Sequence, residues 1–231
     1  MKAILLISGV FCMLLLPAVS PAIFAQPAAQ DSYRVLIDPA HGGSDPGVGL
    51  SGKSVEKDIT LALALSLKKY LEGGDQRIKV QLTRSGDKTL AIADRRNMIK
   101  KFKADMMVSL HVNAGFGSDA SGYEISLPGL KHLGAVDGED IVKNMEKTKC
   151  ANDSIRLAQL ILKKLEIIFP RKGRGIREVP VPILTGVTMP SVCVEIGFLT
   201  NKEDKNRLLD KDVQRDIARS IGRGIRDYFN L

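Results

Sequence analysis

Apolar positions along the chain recur with two different periods, and the two alternate. Tyr33 to Asp38 (YRVLID) is a short apolar run of the kind found in buried strands. From Ser54 to Glu72 the period lengthens. Ile59, Leu63, Leu67 and Leu71 recur at four-residue steps, with Ala62, Leu65 and Tyr70 beside them, and Gly73 and Gly74 end this predicted helix. IKVQLTR (78–84) alternates like a strand. TLAIADRRNMIKKFKA (89–104) reads as a helix with Ala91, Met98 and Phe102 turned inward. MMVSLHVNA (106–114) and GYEISLP (122–128) read as strands. DSIRLAQLILKKLEIIF (153–169) is strongly amphipathic, with Asp153 or Ser154 as the expected N-cap. VPILTG (181–186) and SVCVEIGFL (191–199) complete the predicted strands, and DVQRDIARSIGRGIRDYF (212–229) is a closing helix.

This alternation of strands and helices predicts an α/β fold in one domain. Its centre is a mostly parallel or mixed twisted sheet of about six strands, with helices on both faces in the manner of phosphorylase/hydrolase-like folds. In such sheets ligands gather beyond the carboxyl ends of the strands. Three predicted strands end in residues able to do chemistry: His41, His111 and Glu195. Residues 129–152 break the rhythm. The stretch is rich in glycine and charge, with one short helix expected near EDIVKNMEK. Long irregular connections in compact domains usually serve as lids or mobile functional segments.

The N-terminus has a different pattern. Lys2 precedes an apolar run that ends in small residues near Ala25, the layout of a secretory signal peptide. Residues 1–25 are read as that signal and 26–32 as a linker. The competing reading is an uncleaved anchor, but Pro17 and Pro21 interrupt the run and no charged stop-transfer cluster follows. The residues before Cys12 do not suit lipidation. The expected location is therefore the periplasm, the wall or the medium, and after cleavage the protein is not an integral membrane protein.

Composition narrows the function classes. The net charge is +8, which becomes +7 once Lys2 is removed with the signal. The basic residues are scattered, and the densest cluster is FPRKGRGIRE (169–178). Outside the cytoplasm such a surface meets acidic envelope polymers, or is simply solvated. With 5% aromatic residues, no tryptophan and no nucleic-acid motif, nucleic acid is not an expected partner. The mature chain keeps two cysteines, Cys150 and Cys193, too few for a disulfide framework. Cys193 reads as a small core residue, and a Cys150–Cys193 bridge is the alternative.

Taken singly, each polar candidate has an ordinary explanation. His41 is a turn histidine before two glycines. Glu56 is a carboxylate at a helix start, where the dipole favours it. His111 is a satisfied core histidine. Glu195 is half of a buried ion pair, since a carboxylate in an apolar strand is costly unless paired. Taken together they suggest more. Two histidines and a carboxylate are a common protein ligand set for a catalytic zinc with one position left for water, and a second carboxylate can act as general base. The ligands are far apart in sequence, so spacing alone leaves both accounts open.

Four segments resemble the motifs of the zinc-dependent N-acetylmuramoyl-L-alanine amidase family, Amidase_3. IDPAHGGSDPG resembles the opening motif, with His41 at its first zinc ligand. VEKDITLALAL follows, with Glu56 at the carboxylate ligand, then VSLHVNA, with His111 at the second histidine ligand. MPSVCVEIGFLTNKED comes last, with Glu195 at the catalytic glutamate. LTRSGDKTLAIADRRNMIKKFKAD fits the family in order and spacing, and the likeness runs from about Tyr33 to Phe229, so that 33–231 is the expected catalytic domain. The first motif departs from the family at Ala40, where glycine is usual, and an alanine would be costly there at positive φ.

The resemblance implies a monomeric cell-wall autolysin acting on peptidoglycan. Its Zn2+ would be held by His41, Glu56 and His111, and Glu195 would move the proton. Because ligating histidines usually donate their other N–H, Asp38 is the expected acceptor that orients His41, and Asn113 is read as a substrate contact or support. PILTGVTMPS is read as a loop packed on the sheet and His132 as a surface residue. Some relatives block the zinc with an inserted helix until a partner moves it. Segment 129–152 lies at that place, with Glu139, Asp140 or Glu146 as candidate caps and an activator protein as the implied partner. Two other readings stay open: a catalytically inactive peptidoglycan-binding or regulatory module, and a zinc peptidase of the stem peptide.

Overall fold

The computed structural model describes residues 32–50, 54–128 and 141–231. The expected signal peptide, most of the expected linker, and His132, Glu139 and Asp140 lie outside the described residues. The elements are β1 (Tyr33–Pro39), β2 (Gly49–Leu50), β3 (Ser54–Val55), α1 (Glu56–Gly74), β4 (Ile78–Leu82), α2 (Ile92–Phe102), β5 (Met106–Asn113), β6 (Tyr123–Leu127), α3 (Ile141–Leu165), β7 (Gly173–Glu178), β8 (Ser191–Phe198), α4 (Lys202–Leu209) and α5 (Lys211–Phe229). Six strands form one mixed sheet in the order β4-β1-β5-β8-β6-β7, and β2 and β3 make a small hairpin beside it. The strands β4, β1, β5 and β8 are parallel, β6 is antiparallel to β8, and β7 runs with β6.

The pleat sorts the strand residues onto two unlike faces. Val35, Ile37, Val108, Leu110, Val112, Val192, Val194 and Ile196 belong to a large core shared with the apolar stripes of α1, α3 and α5, including Ile59, Leu63, Leu67 and Leu71. The alternate residues Leu36, Met107 and Cys193 form a smaller cluster with Ile183, Leu184 and partly buried Met98, Ile99 and Phe102. Nearer the strand ends, this second face turns polar: Asp38, Ser109, His111, Glu195 and Glu124 follow one another across β1, β5, β8 and β6. The alternation in VSLHVNA and SVCVEIG thus marks a sheet with one greasy face and one face that carries chemistry.

Three local expectations are corrected. VPILTG is not a strand. Pro182–Leu184 is a 3-10 turn, because Pro180 and Pro182 cannot donate to a ladder and Pro182 suits the first turn of a helix. The sixth strand is instead GRGIRE, an edge strand whose residues are exposed or half-buried, so it shows no apolar period. Asp153 and Ser154 do not cap a helix. α3 begins at Ile141, and Ser154 sits inside it, donating to Cys150 O at 2.8 Å and accepting from Ser191 N at 3.0 Å. The first half of α3 (KNMEKTK) is polar on most sides, which hides its helical period. Ala91 is an exposed N-cap residue rather than an inner position of α2, whose one buried residue is Arg95. The short α4, capped by Asn201, has no counterpart in the sequence reading. Cys150 and Cys193 are free thiols.

Candidate metal centre

After β1 the chain turns through Ala40-His41-Gly42-Gly43, with φ of 61° at His41, 127° at Gly42 and 61° at Gly43. A left-handed residue other than glycine is uncommon and persists only where its surroundings over-determine it. Two arginines do so. Arg95, only 5% exposed, donates from Nη1 to Asp38 Oδ1 (2.7 Å) and Pro39 O (2.9 Å), and from Nη2 to His41 O (2.6 Å). Arg84 donates to Pro39 O (3.0 Å), and its Nη2 to Ala40 O and Lys57 O (both 2.8 Å). Three successive carbonyls at the strand end are thereby held by buried guanidinium groups. Ala40 is buried and is not among the positive-φ residues, so the departure from glycine carries no backbone strain. The left-handed residue is the histidine itself.

Asp38 does not orient His41. Its carboxylate accepts from Thr83 Oγ1 (2.6 Å), Arg95 and Ser109 Oγ (2.9 Å), which ties β1 to the residue after β4, to α2 and to β5. The carboxylate at the outer nitrogen of His41 is Asp45, with Oδ2 2.8 Å from Nδ1. Asp45 lies one β-turn further along the opening motif, four residues after the histidine.

Glu56 begins α1 and is 2% exposed. Its Oε1 accepts from Val112 N (2.9 Å) and lies 3.0 Å from His111 Nδ1. Its Oε2 accepts from Val48 N (2.9 Å) and lies 3.1 Å from His41 Nε2. Donor atoms of His41, Glu56 and His111 all fall within 4.8 Å of one another. The two imidazole rings stand edge to face with centroids 5.3 Å apart. Gly47, at φ 66°, makes room for them: a Cβ there would lie 2.6 Å from both Glu56 Oε2 and His41 Cδ2.

Electrostatics match this geometry. Burial alone would raise Glu56, but hydrogen bonds with His111 and His41 and from the Val48 amide bring it down to about 2. The Glu56 contact, against a burial penalty and with help from Asp45, lifts His41 to about 9. Desolvation lowers His111, yet Glu56 and the nearby Glu195 charge lift it above the ordinary histidine value. The site is a strongly anionic socket that draws positive charge onto its imidazoles.

Glu195 stands beside that socket and outside it. It is the β8 partner of His111 on one side and of Glu124 on β6 on the other. Burial pushes its carboxyl above the ordinary value; His111 opposes this, and Glu56 and Glu124 add to it. Asn113 supports the row by donating to Glu124 Oε1 at 3.3 Å. A cleft of about 290 Å³ opens over these residues. His41, Asp45, His111 and Glu195 line it together with Leu90, Ile92 and Val179 to Ile183. The PILT loop is thus a wall of the cleft as well as packing for the sheet. Glu146 is exposed on α3 and is not part of the His41–Glu56–His111 cluster.

The family model described as N-acetylmuramoyl-L-alanine amidase (Amidase_3) matches residues 35–227. The chain belongs to this amidase family. Among curated amidases it is 31% identical over 198 residues to N-acetylmuramoyl-L-alanine amidase CwlM of Bacillus licheniformis, covering 86% of this chain and 69% of that one. The solved catalytic domain of CwlV, an amidase of Bacillus (Paenibacillus) polymyxa var. colistinus, superposes with a TM-score of 0.72 at 29% identity, covering 86% of this chain and 99% of that one. The CwlD amidase of Clostridioides difficile, solved in complex with the GerS lipoprotein, gives a TM-score of 0.70 at 27% identity, with 86% and 99% covered. The amidase fold accounts for the six-stranded mixed sheet and places the four motif residues at one end of it.

Asp45, Arg84, Arg95 and Glu124 are the residues of the site that the sequence reading did not single out. Asp45 had a local signal, its i+4 spacing from His41. Arg84 and Arg95 sit within the family-like segment after β4 but offer no chemistry until the β1 carbonyls they hold are seen.

Proposed function

We propose that this chain is a zinc-dependent peptidoglycan hydrolase, which cleaves the amide bond between N-acetylmuramic acid and the L-alanine of the stem peptide. The observation that carries the reading is the convergence of His41 Nε2, Glu56 and His111 Nδ1, with Glu195 in register beside His111. Two imidazoles and one carboxylate suit a catalytic zinc, and the contact between Asp45 and the outer nitrogen of His41 is the usual support of a ligating histidine. These three residues would hold the zinc, which would supply Lewis acidity for the scissile carbonyl and for a water near neutral pH.

The chain's own residues do the rest. Glu195 takes the proton of the attacking water and delivers it to the departing nitrogen of L-alanine. Its burial favours proton acceptance. Asp45 holds the His41 imidazole at its outer nitrogen, and Arg84 and Arg95 fix the turn that carries His41. The apolar wall from Val179 to Ile183 keeps bulk water from one side of the cleft. Residues 1–25 act as a cleaved signal, 26–32 as a linker and 33–231 as the catalytic domain, which works outside the cytoplasmic membrane. Among the described residues no helix is long and apolar enough to cross a membrane. Segment 129–152 is the place for an activator to act, and its described part forms the N-terminal half of α3, exposed from Met145 to Lys149.

Digestion of purified cell walls tests the reading. The expected products are glycan strands free of peptide and intact stem peptides with a new L-alanine amino terminus. Chelation lowers the rate by at least about 10²-fold and zinc restores it. Shortened stem peptides would make the chain a peptidase, and wall binding without cleavage would make it a binding module. A second expectation concerns the socket itself. Gly47→Ala places a methyl group against Glu56 and His41 in a left-handed backbone. A displacement of about 1 Å at a reacting centre costs about 10²-fold, so wall hydrolysis falls by that order and zinc affinity falls with it, as read by equilibrium dialysis. Undiminished zinc affinity would show that Gly47 does not shape the ligand set.

A further inference from the structure

The densest basic cluster of the sequence lies partly on β7, at the sheet edge nearest Glu195. Between Tyr123 and Ile125 the chain advances two residues on β6, while β7 advances three, from Gly173 to Ile176. The extra residue is a β-bulge, with Gly175 at φ 87° inside it. In a regular strand, residues three apart point to opposite faces. Here the bulge brings Arg174 and Arg177 to the same face, and the Nε of each meets one oxygen, Glu124 Oε2, at 3.2 and 2.9 Å.

Glu124 uses up only one edge of each guanidinium. Their Nη groups take no hydrogen-bond acceptor among the described residues, and the side chains are 36% and 49% exposed. Two guanidinium charges against one carboxylate leave the trio positive. Bulges beside active sites commonly re-aim side chains, and paired guanidinium forks fit a carboxylate. Ser126, the β6 partner of Arg177, and Val179 just after β7 line the cleft together with Glu195 and His111.

Spacing identifies the ligand. His111, Glu195 and Glu124 are in register across β5, β8 and β6, so Glu124 stands two strand spacings from His111, roughly 10 Å. A stem peptide whose scissile carbonyl sits over the metal ligands extends about 3.5 Å per residue. The carboxylate of its second residue then lies about 7 Å on, within reach of arginines leaning in over Glu124.

We propose that Arg174 and Arg177, braced by Glu124, form a subsite for the free carboxylate of the residue that follows L-alanine in the stem peptide. The proposal rests on the amidase reading above. It makes the enzyme sensitive to whether that carboxylate is free or amidated.

The test compares two purified peptidoglycans that differ at this carboxylate, free in one and amidated in the other. The native enzyme is expected to release stem peptides from the free form about 10-fold faster, the worth of a charge-assisted hydrogen-bond pair. R177Q and R174Q are each expected to bring the ratio close to one, mainly through KM on the free form. The ratio is internal to each variant, so a partly unfolded preparation does not alter it. Equal rates of the native enzyme on both walls, or an unchanged ratio in both variants, would overturn the proposal while leaving the amidase reading intact. Failure of the native enzyme to release stem peptides from either wall would sink the amidase reading and the subsite with it.

Discussion

Glu195→Gln is expected to slow wall hydrolysis by about 10³-fold, in the range of a lost general base, with zinc content and folding unchanged. The substitution keeps the shape of the side chain and removes its basicity. Zinc content should hold because Glu195 is not among the three residues whose donor atoms converge. Folding should hold for a reason of sign. Burial raises the Glu195 carboxyl above its ordinary value, so ionising it costs stability at neutral pH, and a neutral amide relieves that cost. The glutamine variant is therefore expected to be at least as resistant to denaturant as the parent at pH 7. Stem-peptide release, metal analysis and a denaturation curve on one preparation decide the matter. A native rate would remove Glu195 from the proton-transfer role. A loss of zinc would make it a ligand instead.

The residues proposed to carry this chemistry were legible in the sequence because they break strong patterns. His111 and Glu195 interrupt apolar strands at alternate positions, and His41 ends one. A polar residue in such a place has few structural excuses. The sheet faces follow from the same alternation, and so do the helices α1 and α5, whose apolar stripes are unbroken. The parts that escaped reading are those in which pattern and role separate. β7 is an exposed edge and needs no apolar period. The front half of α3 is polar on most sides and looks like loop. Asp38 lies closer in sequence to His41 than Asp45 does, and so looks like the natural orienting group. In three dimensions its strand position turns it towards Thr83, Ser109 and Arg95 instead. Nearness along the chain cannot report which side of a strand end a carboxylate faces.

Arg95 is where the second large effect is expected, and it is an effect on stability. Arg95→Met keeps the length and apolar stem of the side chain but leaves Asp38, 2% exposed, with two hydroxyl donors and no cation in direct contact. It also strips donors from Pro39 O and His41 O. Breaking a buried ion pair from one side costs about 3–5 kcal/mol, because the remaining charge stays buried and uncompensated. That is a large share of the stability of an ordinary domain. Urea denaturation should show a loss of this size, and a loss below about 1 kcal/mol would mean that Asp38 finds compensation elsewhere. The companion substitution separates the two jobs of the arginine. In Asp38→Asn combined with Arg95→Met the orphaned charge is gone, so the double variant should be more stable than Arg95→Met alone, a coupling expected only between groups in contact. Its activity should not recover in step, because His41, held at φ 61°, still lacks the guanidinium that grips its carbonyl. A double variant that regained both stability and full activity would show that the left-handed turn is held by the rest of the loop, and that Arg95 serves the core rather than the metal centre.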